Sequence, residues 1–488
     1  MIDNEFETWL VKNKKLKESS IVKYIGAVRT ISKDLGKELG IDLKIYDITD
    51  INEFNKIYKL YYDNSELMNK NKKGNNMYSN GLNCYKEFLE DKQNINNIDV
   101  KPVDKLVKEE KPLIKSTTEV NNQIQKYINS KGFIYNNKDL NNFYISLKTK
   151  PFVILAGISG TGKSKLVKLF ASAIGATSEN EQYNIISVKP DWNDSTELFG
   201  YKNINDEFVP GKLTEIISRA SSSENVSKPY FICLDEMNLA RVEYYLSEYL
   251  SIIESREFKD GEIVTDLLFS KDYLPKESKY YDLRIPENIY IIGTVNMDDT
   301  TFAFSRKVLD RANTIEFSDV DLDSLDFEEE ECEPIAVDNS FLKTSFLNIK
   351  EALVADDNFV RETNKKVKEI NAILKTGNKN FGYRVRDEIV FYMLENKICE
   401  LLNEDIAFDY QIMQKILPTI SGSESIIKGI LIDLFNYCIE GEKLSGNGDY
   451  IKDCETKLKA ENIKYKKSAK KILMMLRGYQ DGFTSFWA

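Results

Sequence analysis

The segment 151–171, PFVILAGISGTGKSKLVKLFA, constrains this chain more than any other. A short apolar run, a GxxxxGKS loop and a helical pattern follow one another directly, in the order strand, loop, helix. Gly157 and Gly162 let the backbone wrap closely round phosphates with its N–H groups turned inward, and Ser159, Gly160, Thr161 and Lys165 complete the wrap. Lys163 reaches the β- and γ-oxygens, and the Ser164 hydroxyl is a ligand for Mg²⁺.

A phosphate loop needs a second metal-binding carboxylate at the end of a neighbouring strand. YFICLDE (230–236) supplies one: an apolar run, then Asp235 for the metal shell and Glu236 to polarise an attacking water. The residues after it, MNLARVEYYLSEYLSIIESRE (237–257), put Leu239, Val242, Leu246, Tyr249, Leu250 and Ile253 at helical spacing, which predicts one packed helix. A further apolar run, IYIIGTVN (289–296), predicts a buried strand with Asn296 at its tip, facing the same crevice. Asp298 and Asp299 follow. Arg306 and Arg311 lie in a helical segment beyond, too far round to touch the same subunit's nucleotide, which suggests an arginine finger acting on a neighbour.

With YNIISV (183–188), these apolar runs alternate with helical patterns, so the expected fold is α/β: a parallel sheet with flanking helices. Ahead of it, residues 1–92 read as a small helical domain. Ser19 or Ser20 is placed to cap a helix that Gly36 ends, and aromatics recur at helical spacing (Phe54, Tyr58, Tyr61; Tyr78, Tyr85), which is core spacing. Residues 93–118 read as a linker, 119–320 as the nucleotide-binding subdomain, and 321–488 as an acidic insertion followed by a helical lid. Residues 255–288 are a polar insertion, and 319–333 hold nine acids and no base.

Composition removes whole classes of chemistry. The chain has no histidine, which excludes Ser-His-Asp hydrolases, HExxH metalloenzymes and histidine-based nucleases. Its six cysteines are scattered without a CxxC pair, so neither a zinc site nor a disulfide frame is expected. Asp453 to Lys457 offers an ExK on a helical pattern instead of on paired strands, and no nuclease site is expected in this chain. The net charge of −11 argues against a surface given over to nucleic acid. Residues 1–100 hold 16 basic and 16 acidic residues, so the excess lies beyond them. With neither a long apolar run nor a signal-like start, the expected location is the cytoplasm, with no membrane partner.

GISGTGKS, FICLDE and GTVN, followed by the arginine segment, together resemble the AAA+ ring NTPases. Taken with VKPDWNDSTELFGYKN (188–203), NMDDTTFAFSRKVLDRANTIEF (296–317), FGYRVRDEI (381–389) and FDYQIMQKILP (408–418), they resemble more narrowly the McrB-type motor subunits of modification-dependent restriction systems. The likeness runs over residues 119–488. It implies an AAA+ core with a C-terminal helical lid, Asn296 as sensor 1, Arg311 or Arg306 as the finger, and Arg384 or Arg386 as sensor 2, with Asp299 beside the nucleotide. It also implies a hexameric ring, Mg²⁺, a separate McrC-like nuclease subunit, and DNA recognition by the N-terminal domain. In the type member the motif following the strand is MNTADRS. Here the stretch is Val295 to Thr301 and Thr300 stands at the arginine, which leaves GTP and ATP both open. Two alternatives stand beside this reading: a MoxR-like ATPase remodelling a protein partner, and a nucleotide-gated DNA-recognition scaffold with little hydrolysis.

Overall fold

The computed structural model describes residues 6, 9–10, 18–39, 43–48, 54, 57–58, 60–61, 77–95, 116–259, 261–297, 302–318, 331–446, 448–459 and 463–487. The chain divides into two compact units, Met1–Lys111 and Pro112–Ala488.

In the first unit, helices α1 (Glu18–Leu39) and α2 (Met77–Ile95) pack against each other. The helix α1 begins ahead of Ser19 and runs through Gly36, so neither residue marks an end: burial of Val28, Ile31 and Leu35 outweighs the glycine's weak helix propensity. The aromatic residues are core. Phe6, Phe54 and Tyr85 are fully buried, and the rings of Phe6 and Tyr85 meet edge-on at 5.0 Å.

The second unit is built on a five-stranded sheet. Its strands are β1 (Phe152–Gly157), β2 (Tyr183–Ser187), β3 (Tyr230–Asp235), β4 (Ile289–Asn296) and β5 (Asn313–Glu316). The order is β2-β3-β4-β1-β5, all parallel. Register places Gly157 opposite Asn296 and Ser187 opposite Asp235, so the carboxyl ends of the strands line one edge. Helices α3 (Thr117–Ser130), α4 (Asn137–Thr149) and α5 (Lys163–Ala173) lie on one side, with α6 (Lys212–Ala220) on the other.

Three features differ from the sequence reading. A fifth strand, β5, pairs with β1; Asn313 and Thr314 are buried in it, and Asn313 Nδ2 donates to the Ser146 carbonyl at 3.1 Å. The stretch after Glu236 is not one helix. It breaks into a 3-10 turn (Met237–Leu239) and short helices at Val242–Tyr245 and Ser247–Ile252, because Ala240 is extended and Leu246 leaves the helical region. Val242, Leu246, Tyr249, Leu250 and Ile253 are nevertheless all buried. The polar insertion 255–288 carries an apolar layer of its own: Phe269 and Tyr280 close round Phe208 with ring centroids 5.1 and 5.6 Å away.

The C-terminal part is helical: α7 (Ile349–Lys375), α8 (Tyr383–Cys399), α9 (Glu404–Gln411), α10 (Ser425–Cys438), α11 (Tyr450–Leu458) and α12 (Lys466–Gln480). It shares one apolar core with the α5 side of the sheet. A buried ionic clamp fastens it there. Glu388 of α8 pairs with Lys150, two residues ahead of β1, and with Lys415, whose Nζ also donates to the Ala312 carbonyl at 2.7 Å. Ile472, Leu473, Met475 and Leu476 of α12 are buried, and Trp487 Nε1 caps the Pro418 carbonyl at 3.2 Å. Among the described residues, no helix is long and apolar enough to cross a membrane.

Candidate functional site

The loop between β1 and α5 folds as a phosphate cradle because two of its glycines take left-handed backbone angles. Gly160 and Gly162 both sit at φ +83°, a region that favours glycine. Ser159 and Gly160 are exposed, and Thr161 Oγ1 donates to the Ile158 carbonyl at 3.2 Å. Lys163 and Ser164 open α5, so the N–H groups of its first turn face the loop. The Lys163 ammonium donates to the carbonyls of Gly157 (3.0 Å) and Ile158 (2.7 Å). Burial lowers its pKa, and the nearby Asp235 carboxylate opposes that shift.

From the first turn of α5, Ser164 Oγ donates to Asp235 Oδ1, at the end of β3, at 2.5 Å. Asn296 Nδ2 donates to Glu236 Oε1 at 3.3 Å. Glu236 is exposed and holds the left-handed conformation, φ 52° and ψ 47°. That conformation is strained in a residue with a Cβ, and such strain concentrates at functional sites. Gly293 of β4 packs against Met237: a Cβ there would meet the Met237 sulfur, which would have to shift.

The Ser164 hydroxyl and Asp235 carboxylate are hard oxygen donors held side by side, a set that fits Mg²⁺. Among the described residues no cluster of three or more His, Cys, Asp or Glu side chains is arranged for a metal. A Mg²⁺ ion held by Ser164 and Asp235 would take its remaining ligands from phosphate oxygens and water.

The structure thus brings together the loop, Asp235, Glu236 and Asn296. The other site candidates have different partners. Arg384 of α8 forms an ion pair with Glu254, and Arg311 Nε lies 3.3 Å from the other oxygen of the same carboxylate. Arg386 Nε donates to Asp387 Oδ1 at 2.6 Å, and its guanidinium stands 4.9 Å over the Tyr383 ring. Arg306 is exposed, and its Nη2 donates to the Lys379 carbonyl at 3.3 Å. Lys165 turns away from the phosphate edge to stand 4.7 Å over the Phe133 ring. Asp299 lies outside the described residues.

Several residues to which the sequence reading gave no role lie at the site. Tyr135, in the connection between α3 and α4, donates its hydroxyl to the Gly162 carbonyl at 3.0 Å, and burial pushes its phenol up to about 12. Thr294 of β4 touches both acids, through Asp235 Oδ1 (2.7 Å) and the Glu236 N–H (3.1 Å). A cleft of about 420 Å³ opens beside the loop, lined by Lys138, Ser318, Tyr410, Met413, Lys470 and Met474. Ser318 ties cleft to loop: its neighbour Phe317 presses its carbonyl so close to Gly157 that a Cβ on the glycine would collide with it. A second basic residue of α12, Lys471, pairs there with Glu316 at 2.9 Å. Its walls mix apolar side chains with lysines and with the carboxylates of Glu316 and Asp409. Only the paired lysines at 466–471, followed by the apolar run 472–476, hinted at this in the sequence.

The sheet order, the cradle and the acids on neighbouring strand tips define an AAA+ P-loop NTPase domain. Residues 152–312 match a family model described as an AAA domain of the dynein-related subfamily. Residues 330–483 match one described as a domain of unknown function, DUF8727. No curated protein matches the chain. Among solved structures, a candidate ATPase from Cytophaga hutchinsonii is similar at 14% identity and a TM-score of 0.33, covering 56% of this chain and 79% of that one.

Proposed function

We propose that this chain is the NTP-hydrolysing motor subunit of a McrBC-like restriction system, acting in the cytoplasm in anti-phage defence. The observation that carries the hydrolytic part is the joint placement of Ser164 against Asp235 and Asn296 against Glu236 on adjacent strand tips. The restriction part rests on the ordered motifs at 188–203, 296–317, 381–389 and 408–418 that resemble McrB-type subunits.

In this reading GTP or ATP lies along the cradle, with its base in the apolar part of the lysine-bearing cleft. Lys163 holds the terminal phosphates. Ser164 and Asp235 hold Mg²⁺, which when bound neutralises charge on the phosphates. Glu236 takes the proton of the attacking water, and Asn296 holds the Glu236 carboxylate toward it. The arginine finger, Arg311 or Arg306, comes from the next subunit of a homo-oligomeric, hexameric ring. Arg384 and Arg386 of the lid are the sensor-2 candidates from the resemblance; Lys470 of α12 lines the nucleotide cleft and is a third. A separate McrC-like nuclease subunit cuts DNA that residues 1–92 engage.

The test is phosphate release from ATP and GTP by the purified chain, with and without the product of the adjacent gene and with DNA. Stimulation by a nuclease-like partner supports the restriction motor. Stimulation by a non-nuclease protein partner without DNA favours MoxR-like remodelling, and tight binding with no turnover favours the gated scaffold.

A further inference from the structure

We propose that Thr294 is a positioning residue for nucleotide hydrolysis: its one hydroxyl fixes both the metal-binding carboxylate and the backbone of the water-polarising acid. The inference rests on the hydrolytic reading above. Thr294 is 3% exposed on β4, two residues before Asn296. The register sets Gly293 opposite Leu234, which brings Thr294 level with Asp235 at the end of β3.

The chemistry of the three groups fixes the direction of each hydrogen bond. An ionised carboxylate only accepts and a backbone N–H only donates. The Thr294 hydroxyl therefore gives its proton to Asp235 Oδ1 at 2.7 Å and receives the Glu236 N–H at 3.1 Å. Both capacities are used, and a valine of the same shape supplies neither.

Two consequences follow. Asp235 Oδ1 accepts from Ser164 as well as from Thr294, so Thr294 keeps the carboxylate oriented when the Ser164 oxygen turns to a metal ligand's role. Glu236 sits in a left-handed conformation that is uncommon for a residue with a side chain, and the bond from its N–H to Thr294 is made in that conformation. Partners of this kind, which orient a ligand without touching the metal, change metal affinity by about 10- to 100-fold when removed.

The experiment compares wild type, Thr294→Val and Thr294→Ser in the full chain. A fluorescent ATP or GTP analogue is titrated with and without Mg²⁺, and phosphate release is followed at saturating nucleotide. Thr294→Val is expected to raise the Mg²⁺ concentration for half-maximal effect by about tenfold or more. Mg²⁺-free nucleotide binding and the thermal midpoint stay near wild type, kcat falls while KM holds, and Thr294→Ser restores both readouts. The inference is overturned by wild-type Mg²⁺ dependence in Thr294→Val. It is equally overturned by loss of Mg²⁺-free binding in parallel with melting, by failure of serine to rescue, or by the absence of any Mg²⁺ effect on binding in the wild type. The binding arm needs no turnover, so a wild type that binds Mg²⁺ and nucleotide but never hydrolyses defeats the hydrolytic reading and still tests Thr294.

Discussion

Asn296 Nδ2 donates to Oε1 of Glu236 across 3.3 Å, joining the tip of one central strand to the residue that follows its neighbour. The bond orients an exposed carboxylate beside the phosphate cradle, which suits the general-base role proposed for Glu236. Glu236→Gln keeps the shape and removes the proposed base. Its hydrolysis rate should fall by about 10²- to 10⁴-fold with nucleotide affinity intact, trapping nucleotide and stabilising the proposed ring. Single-turnover kinetics beside equilibrium binding checks both halves.

The finger reading makes a complementation prediction. A chain with Arg311→Ala, or Arg306→Ala if that residue is the finger, loses on the order of 10³–10⁵ in rate. Mixed with a Lys163→Ala chain that cannot hold nucleotide, it should regain activity, because the Lys163→Ala subunit brings an intact arginine to the other's intact site. Phosphate release across a mixing series measures it; no recovery at any ratio places the arginine's effect within its own subunit.

Glu388 predicts acid sensitivity. Burial alone would push its pKa up, but Lys150 and Lys415 overrule burial and hold it below the ordinary glutamate value. An acid whose pKa is depressed by folding adds stability above its unfolded pKa and loses it as pH falls through the folded one. Wild-type stability should therefore decline below about pH 4.3. Glu388→Gln leaves two lysines buried without their counter-ion, should cost about 3–5 kcal/mol at neutral pH, and should flatten the acid slope. Thermal melts from pH 7 to pH 3 on both chains give the comparison.

Gly293 predicts a packing defect with a matched repair. Gly293→Ala drives a methyl into the Met237 sulfur and should destabilise by about 1–3 kcal/mol. Met237→Ala in the same chain should recover part of that loss, read as the difference in melting midpoint between single and double variants.

The cradle was legible because its chemistry is local: Gly157 to Ser164 are contiguous, and a strand and a helix flank them. Asp235, Glu236 and Asn296 were legible because each ends an apolar run long enough to read as a strand, and parallel strands deliver their ends to one edge. β5 was not legible, since four residues that include Asn313 and Thr314 show no apolar pattern; Asn313 is buried with its Nδ2 on a carbonyl of α4, a contact that no local pattern announces. Nor was the break after Glu236. The apolar spacing there is helical, but a left-handed glutamate and a hydrogen bond from Asn238 Nδ2 to the Asn296 carbonyl at 3.2 Å outweigh it. Tyr135, Thr294 and the Glu388 clamp depend on contacts between residues 27 to 238 positions apart, and periodicity carries no record of such pairs. The arginines show the converse. Their sequence pattern was plain, yet Glu254 engages both Arg311 and Arg384 within one subunit.

The most direct test of the account is Mg²⁺-dependent phosphate release from ATP and GTP by the full chain, measured side by side for wild type and Glu236→Gln. The account predicts turnover of at least one nucleotide by the wild type and near-complete loss in the variant, with binding retained. Equal turnover by the two chains, or none by the wild type with either nucleotide and with partner and DNA present, would contradict it.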